Sequence, residues 1–287
     1  MIDYWCNAFT PDRAALWRAV IEQEGLAIRT REDGGDDGFA FPSAMVERMD
    51  RLGVATLVLP FCDLDPDAPI DDYAHYAARP EELAALAAAH EGRFVGVYSI
   101  DPTGGEHDVA AAHAALDEPW CVGLHTHTHS WGLPFDHPDY RPYYETCAEV
   151  GVPFVMQAGR SGGNFDHECG HPHAIAGPAA DFASVPFVLS HTGAPWVEET
   201  LGAALSHDNV FVGTATHPPR RWPDGLLAFL RGPGRGKALF ATGFPLTGHA
   251  RSLDQLDALD LDPATRHDLL EGTARRIFTR IPEHRST

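Results

Sequence analysis

The chain predicts an α/β fold, a single (β/α)8 barrel over residues 1–287, from three observations. Short apolar runs at residues 2–6, 54–60, 94–100, 121–126, 153–157, 187–191, 210–214 and 238–242 alternate with helix-like segments. Each run is apolar on both faces, as a parallel strand covered on both sides requires. Polar side chains collect just after the runs, where barrels of this kind build their active sites.

Taken in order, the first run leads into Asn7. Residues 25–42, with Asp33-Gly34-Gly35-Asp36-Asp37-Gly38, read as a lid or surface loop before a helix starting near Ser43. Residues 80–90 open Pro80-Glu81-Glu82 and continue alanine-rich, a helix start. The fourth run closes on His125-Thr126-His127-Thr128-His129. In an extended strand, side chains two apart share a face, so these three imidazoles are expected in register, with Cα atoms about 7 Å apart. Two such rings suit one metal ion or two adjacent ones, and a hydrophobic core has no use for them. Helices are expected at 140–150, 197–205 and 263–278, the last opened by Asp262 as cap and Pro263 behind it. No Gly-x-Gly-x-x-Gly follows an early strand, which argues against an open doubly wound sheet.

The formal charge of −20 repels phosphates and excludes nucleic acid or an anionic membrane surface as partner. Five scattered cysteines without a Cys-x-x-Cys pair read as free thiols in a reducing cytoplasm. No signal peptide and no membrane-spanning run is visible. A small-molecule substrate is expected, and a homo-oligomer is left open.

The candidate metal ligands are His125, His127, Glu168, His191, His217, Asn7 and Gln157, all at or just beyond strand ends. Glu168 sits in His167-Glu168-Cys169-Gly170-His171-Pro172-His173, whose spacing fits no structural zinc site, and the segment reads as a loop lending one or two groups. His129 and Glu168 are the candidates for proton transfer. Cys6 and Cys169 carry no recognisable nucleophile context.

Three segments then carry a resemblance. Met1-Ile2-Asp3, Val122-Gly123-Leu124-His125 and Val188-Leu189-Ser190-His191-Thr192-Gly193-Ala194-Pro195-Trp196, with Ala238–Pro245 and Thr273–Phe278 at the finish, resemble the amidohydrolase-related barrels typified by aminocarboxymuconate-semialdehyde decarboxylase. That resemblance implies a divalent metal held by a His-x-His pair after strand one, matched here by Trp5 and Asn7. It also implies a strand-five histidine, matched by Gln157, and a strand-eight aspartate, matched by Gly243. Only His191 remains, so metal-activated hydrolysis loses the group that would deprotonate water.

The displaced histidines are similar to those of a smaller group, the TIM-barrel nonheme diiron monooxygenases of platensimycin and platencin biosynthesis. This similarity implies one or two iron ions, with zinc as the alternative, dioxygen as co-substrate and a natural-product substrate linked to coenzyme A. It further implies that Trp5, Trp131, Phe165, Trp196 and Trp222 wall a bulky apolar substrate and that Arg160, Arg220 and Arg221 meet its phosphate or carboxylate, with a solvated rim as the competing reading for the arginines. The expected function is therefore a nonheme iron monooxygenase. A metal-dependent hydrolase or nonoxidative decarboxylase is the alternative, and a binding barrel with a decayed site ranks last.

Overall fold

The computed structural model describes residues 1–7, 42–60, 64–67, 79–161 and 165–282. Residues 25–41 of the expected lid lie outside these, and Pro42 already opens the helix Pro42–Leu52.

Each apolar run contributes a strand: β1 (Ile2–Asp3), β2 (Thr56–Pro60), β3 (Phe94–Ser99), β4 (Cys121–Thr126), β5 (Phe154–Gln157), β6 (Phe187–Ser190), β7 (Val210–Gly213) and β8 (Ala238–Leu239). They are ordered β1 to β8, and every neighbouring pair is parallel. The ring closes between its shortest members. Tyr4 N–H donates to Phe240 O (3.3 Å), Gly243 N–H to Trp5 O (3.0 Å) and Asn7 N–H to Phe244 O (2.8 Å). The first run ends as a strand at Asp3 because the backbone then divides its bonds: Cys6 N–H goes to Val58 O of β2 while its neighbours turn to the β8 side.

The alternation of side chains sorts the core into two shells. Val58, Val95, Val97, Val122, Val155, Val188 and Leu239 pack with Ile2 and Tyr4 inside the barrel, and Ile277, Phe278 and Ile281 pack against that inner cluster. Leu57, Leu59, Phe94, Met156, Leu189, Val212 and Phe240 face the surrounding helices. Burying each such side chain is worth roughly 1.5–3 kcal/mol, so both shells hold the strands in place.

β4 breaks the alternation. Gly96 pairs with Cys121 but Val97 pairs with Gly123, so Val122 is an extra residue, a bulge. Val122 lies in the inner shell, whereas Leu124, two residues on, lies in the outer one. The slip inverts the phase and delivers His125 to the inside, level with Ser99 of β3 and Val155 of β5.

The expected helices form over Pro80–Ala89, Arg141–Val150 and Val197–Ser206. The terminal segment departs from one regular helix: Pro263–His267 gives way to a π-helical turn, Asp268–Gly272, before Thr273–Ile277. Its start is as expected, with Asp262 Oδ1 accepting from the N–H groups of Ala264 and Thr265, both at 3.1 Å. Among the described residues no helix is long and apolar enough to cross a membrane.

Candidate active site

Only the first of the three β4 histidines lies on the strand. β4 ends at Thr126, and His127 caps the short helix Thr128–Trp131, which carries His129. The expectation of three imidazoles in register is corrected here: the chain turns at His127 because its ring accepts a backbone N–H. His127 Nδ1 accepts from Ser130 N–H at 3.2 Å, sharing that proton with the His127 carbonyl oxygen at 3.0 Å. A backbone N–H can only donate, so in the neutral ring the proton sits on Nε2. Nε2 lies 3.2 Å from Ser161 Oγ, which also receives Gln157 Nε2 at 3.1 Å. Burial, then the neighbouring His129, His125 and His191, hold the His127 ring well below the usual imidazole range, so it is neutral.

His129 points elsewhere. Its Nε2–H donates to Gly159 O at 2.7 Å, leaving Nδ1 as a buried acceptor with no partner among the described residues. Burial lowers it to about 4, against the opposing pull of that carbonyl. Its ring centroid is 5.9 Å from that of His127 and 6.0 Å from that of His167.

His191 follows β6 in a left-handed conformation, φ 64°, and Thr192 repeats it at 57°. Non-glycine residues pay on the order of 1 kcal/mol or more for that region, which concentrates at functional sites. Burial, followed by His217, His129 and His125, pushes His191 down to about 3, and its Nδ1 has no partner among the described residues. His217 donates from Nδ1 to Ala215 O at 3.1 Å, so Nε2 carries its lone pair; burial lowers it too. Four neutral imidazoles thus stand at the C-terminal end of the barrel. The buried Trp5 indole packs edgewise against His125 (centroids 4.7 Å) and His191 (5.5 Å).

The resemblance implies a divalent metal ion at this site. Among the described residues no three His, Cys, Asp or Glu side chains are grouped to share one. His127 uses both ring nitrogens, on Ser130 and Ser161, whereas His129 and His217 each donate one N–H to a backbone carbonyl, of Gly159 and Ala215, and keep the lone pair of the other nitrogen. Glu168, expected as ligand and proton carrier, is exposed on a single 3-10 turn, Glu168–Gly170. Gln157 is committed to Ser161, and the Asn7 amide donates to Gly243 O at 3.4 Å. The carboxylate that the resemblance implies after strand eight is replaced by Gly243.

Gly243 adds a steric reason. Its φ is +61°, and a Cβ there would stand 2.6 Å from Thr216 Cγ2 and 2.9 Å from Thr216 N. Gly243→Asp, which would restore a strand-eight carboxylate, is expected to destabilise the fold by about 2–4 kcal/mol and lower the melting temperature accordingly. An unchanged thermal melt would refute this reading of the position.

Of the expected substrate contacts, Trp5 is in the site and Phe165 packs 5.4 Å from His127. Trp222 is buried and donates to His217 O at 2.8 Å. Trp131 is partly buried, and Trp196 lies against His171 at 4.6 Å. Arg160, Arg220 and Arg221 are exposed. Cys6 and Cys169 are buried thiols, Cys6 pushed well up by burial and Cys169 to about 11, which suits neither as a nucleophile.

Sequence reasoning missed two features. Ser161 stands in the sequence Gly-Arg-Ser-Gly-Gly and carries no motif. Asp3, wholly buried, meets His249 Nε2 at 3.0 Å, accepts Thr242 Oγ1–H at 2.5 Å and accepts Trp5 N–H at 3.0 Å. It pins β1 to the end of β8 and to the helix His249–Asp257, and so fixes the backbone that carries Trp5. Its place in the opening Met-Ile-Asp was the one available signal.

Comparison with known proteins agrees with the architecture. Over 234 residues the chain is 24% identical to the 2-keto-4-carboxy-3-hexenedioate hydratase of a Sphingobium strain, spanning 66% of this chain and 66% of that protein, just under two thirds of its length. An uncharacterised TIM-barrel protein from Bordetella bronchiseptica superposes with a TM-score of 0.79 at 19% identity, covering 98% of this chain and 99% of that one. A dihydroxybenzoic acid decarboxylase from Polaromonas, solved with bound manganese and 2-nitroresorcinol, gives 0.68 at 17% identity, covering 99% and 98%. The amidohydrolase family model matches residues 2–280, nearly the whole barrel from β1 to the terminal helix, and the chain belongs to that family.

Proposed function

We propose that this chain is a nonoxidative decarboxylase of a small unsaturated or aromatic carboxylic acid, in which imidazoles rather than a metal-held water move the proton. The observation that carries this reading is the group of neutral imidazoles, His127, His129, His191 and His217, without a three-donor set among the described residues. The decarboxylase and hydratase neighbours support it, since both reactions turn on protonating or deprotonating a carbon next to a conjugated acid. An oxygenase would need an ion cluster that the described residues do not form. The exposed Arg160 and Arg220 likewise give no inward cationic seat for a coenzyme A phosphate.

The chemistry follows from charge. Burial at the barrel mouth disfavours imidazolium because it removes the ion's solvation. An entering carboxylate supplies the missing countercharge and raises the affinity of a nearby ring for a proton drawn from solvent. That ring, His191 in this reading, protonates the substrate carbon. The carbon–carbon bond to the carboxyl group then breaks, its electron pair restores the conjugated system, and carbon dioxide leaves. One acid anion and one proton become the decarboxylated product and carbon dioxide, with no oxidant.

The test is release of carbon dioxide from 2,6-dihydroxybenzoate and from an unsaturated oxo-dicarboxylate, with deuterium entering the product from heavy water. Dialysis against a strong chelator is expected to leave the rate within twofold. Activity lost on chelation and restored by manganese would overturn the metal-independent reading. A hydroxylated product formed only with reductant and dioxygen would overturn the lyase reading altogether.

A further inference from the structure

The geometry points to Ser161 as the hydroxyl that hydrogen-bonds the substrate carboxylate, aimed by His127 and Gln157. This assignment rests on the carboxylate-substrate reading above and names the group that recognises it.

The reasoning is a count of donors and acceptors. A serine hydroxyl has one proton and two acceptor sites. Gln157 Nε2 donates to Ser161 Oγ at 3.1 Å. His127 Nε2 is 3.2 Å away, and because Nδ1 accepts Ser130 N–H, Nε2 carries the ring proton and must donate. Both acceptor sites on Oγ are then filled, so its own proton is directed away from both partners. Among the described residues no acceptor takes it. Two donors on the same oxygen polarise its O–H bond and make it a better donor in turn.

The same count excludes another role. In a serine nucleophile the imidazole takes the hydroxyl proton, which needs a bare Nε2. Here the backbone of the short helix Thr128–Trp131 holds His127 in the opposite tautomer. Ser161 is partly exposed, as a ligand-facing group has to be, and Phe165 packs against the His127 ring. Gln157 stands at the end of β5 and His127 just past the end of β4, adjacent staves, so two rigid elements aim one loop hydroxyl. This also accounts for Gln157, a polar residue closing an otherwise apolar strand.

Three proteins test it: wild type, Ser161→Ala and Ser161→Thr, each titrated with 2,6-dihydroxybenzoate and an unsaturated oxo-dicarboxylate by calorimetry and assayed for carbon dioxide release. Ser161→Ala is expected to weaken binding and raise KM about tenfold, the scale of one lost hydrogen bond to a charged group, with the protein still folded but its melting temperature lowered by the two donors left without an acceptor. Ser161→Thr is expected to recover most of the affinity, because it keeps the hydroxyl. A reactive fluorophosphonate is expected to leave Ser161 unlabelled.

Equal affinity in wild type and Ser161→Ala overturns the assignment, as does covalent labelling of Ser161, which would show that His127 accepts its proton. If wild type binds the acid without releasing carbon dioxide, the lyase reading fails while Ser161 is still judged by the affinity difference. If wild type turns over and Ser161→Ala matches it in KM, the lyase reading stands and Ser161 fails. If wild type binds neither acid, both fall.

Discussion

His191→Asn is expected to lower kcat by about 10²–10⁴-fold, the usual worth of a positioned proton donor, while the protein stays folded. Asparagine is the informative replacement because it tolerates the left-handed backbone that His191 adopts at φ 64°, so the loop geometry survives. Alanine would confound lost chemistry with added strain. The loss is expected in kcat rather than KM, because the ring acts on the reacting carbon and Ser161 is assigned to hold the carboxylate. The Trp5 indole packs edgewise against the ring, and His217, His129 and His125 disfavour its charged form. Steady-state carbon dioxide release, paired with a thermal melt, checks the prediction. A kcat within threefold of wild type would remove His191 from the proton path.

The second large effect is acid lability. His129 is 2% exposed and titrates near 4 in the fold, against 6.5 when unfolded. Its folded affinity for protons is depressed, so the unfolded chain binds more protons between those values and stability falls as pH falls. The contribution is intact above about pH 6.5 and lost progressively toward pH 4, where this one ring costs on the order of 3 kcal/mol. His127, His191 and His217 shift in the same direction and act in the same window. Asp262 and Glu271, held below their ordinary carboxylate values, lose their contributions only at lower pH. Asp108, raised by burial, has the opposite sign. The melting temperature is therefore expected to drop by several degrees between pH 7 and 5, before the carboxylates matter. Saturating carboxylate ligand should flatten that slope, because it supplies the countercharge. A melting temperature flat from pH 7 to 5 would mean the rings are not neutral and buried.

Much of the barrel was legible because parallel strands covered on both faces must be apolar throughout, and such runs stand out. β2 to β7 follow their runs to within a residue or two at each end. β1 and β8 are shorter than their runs because that is where the ring closes, and closure is a property of two distant segments. The bulge at Val122 left no mark, since Val-Gly-Leu reads as strand in either phase. The histidines were visible as residues, but their grouping depended on where β4 ends. A backbone N–H from Ser130 decided that by claiming His127. Glu168 looked like the missing carboxylate because it neighbours histidines in the chain, yet its turn carries it outward. Ser161 and Asp3 were invisible for the complementary reason: their partners lie on other staves.

One inserted residue decides what this barrel presents at its mouth. Anyone transplanting the Cys121–His129 stretch into another eight-stave scaffold has to keep its supernumerary valine out of register with the neighbouring stave. Without that slip the His125 imidazole would be delivered to the greasy side of the wall, beneath the helices, and the graft would yield a well-folded protein with no chemistry.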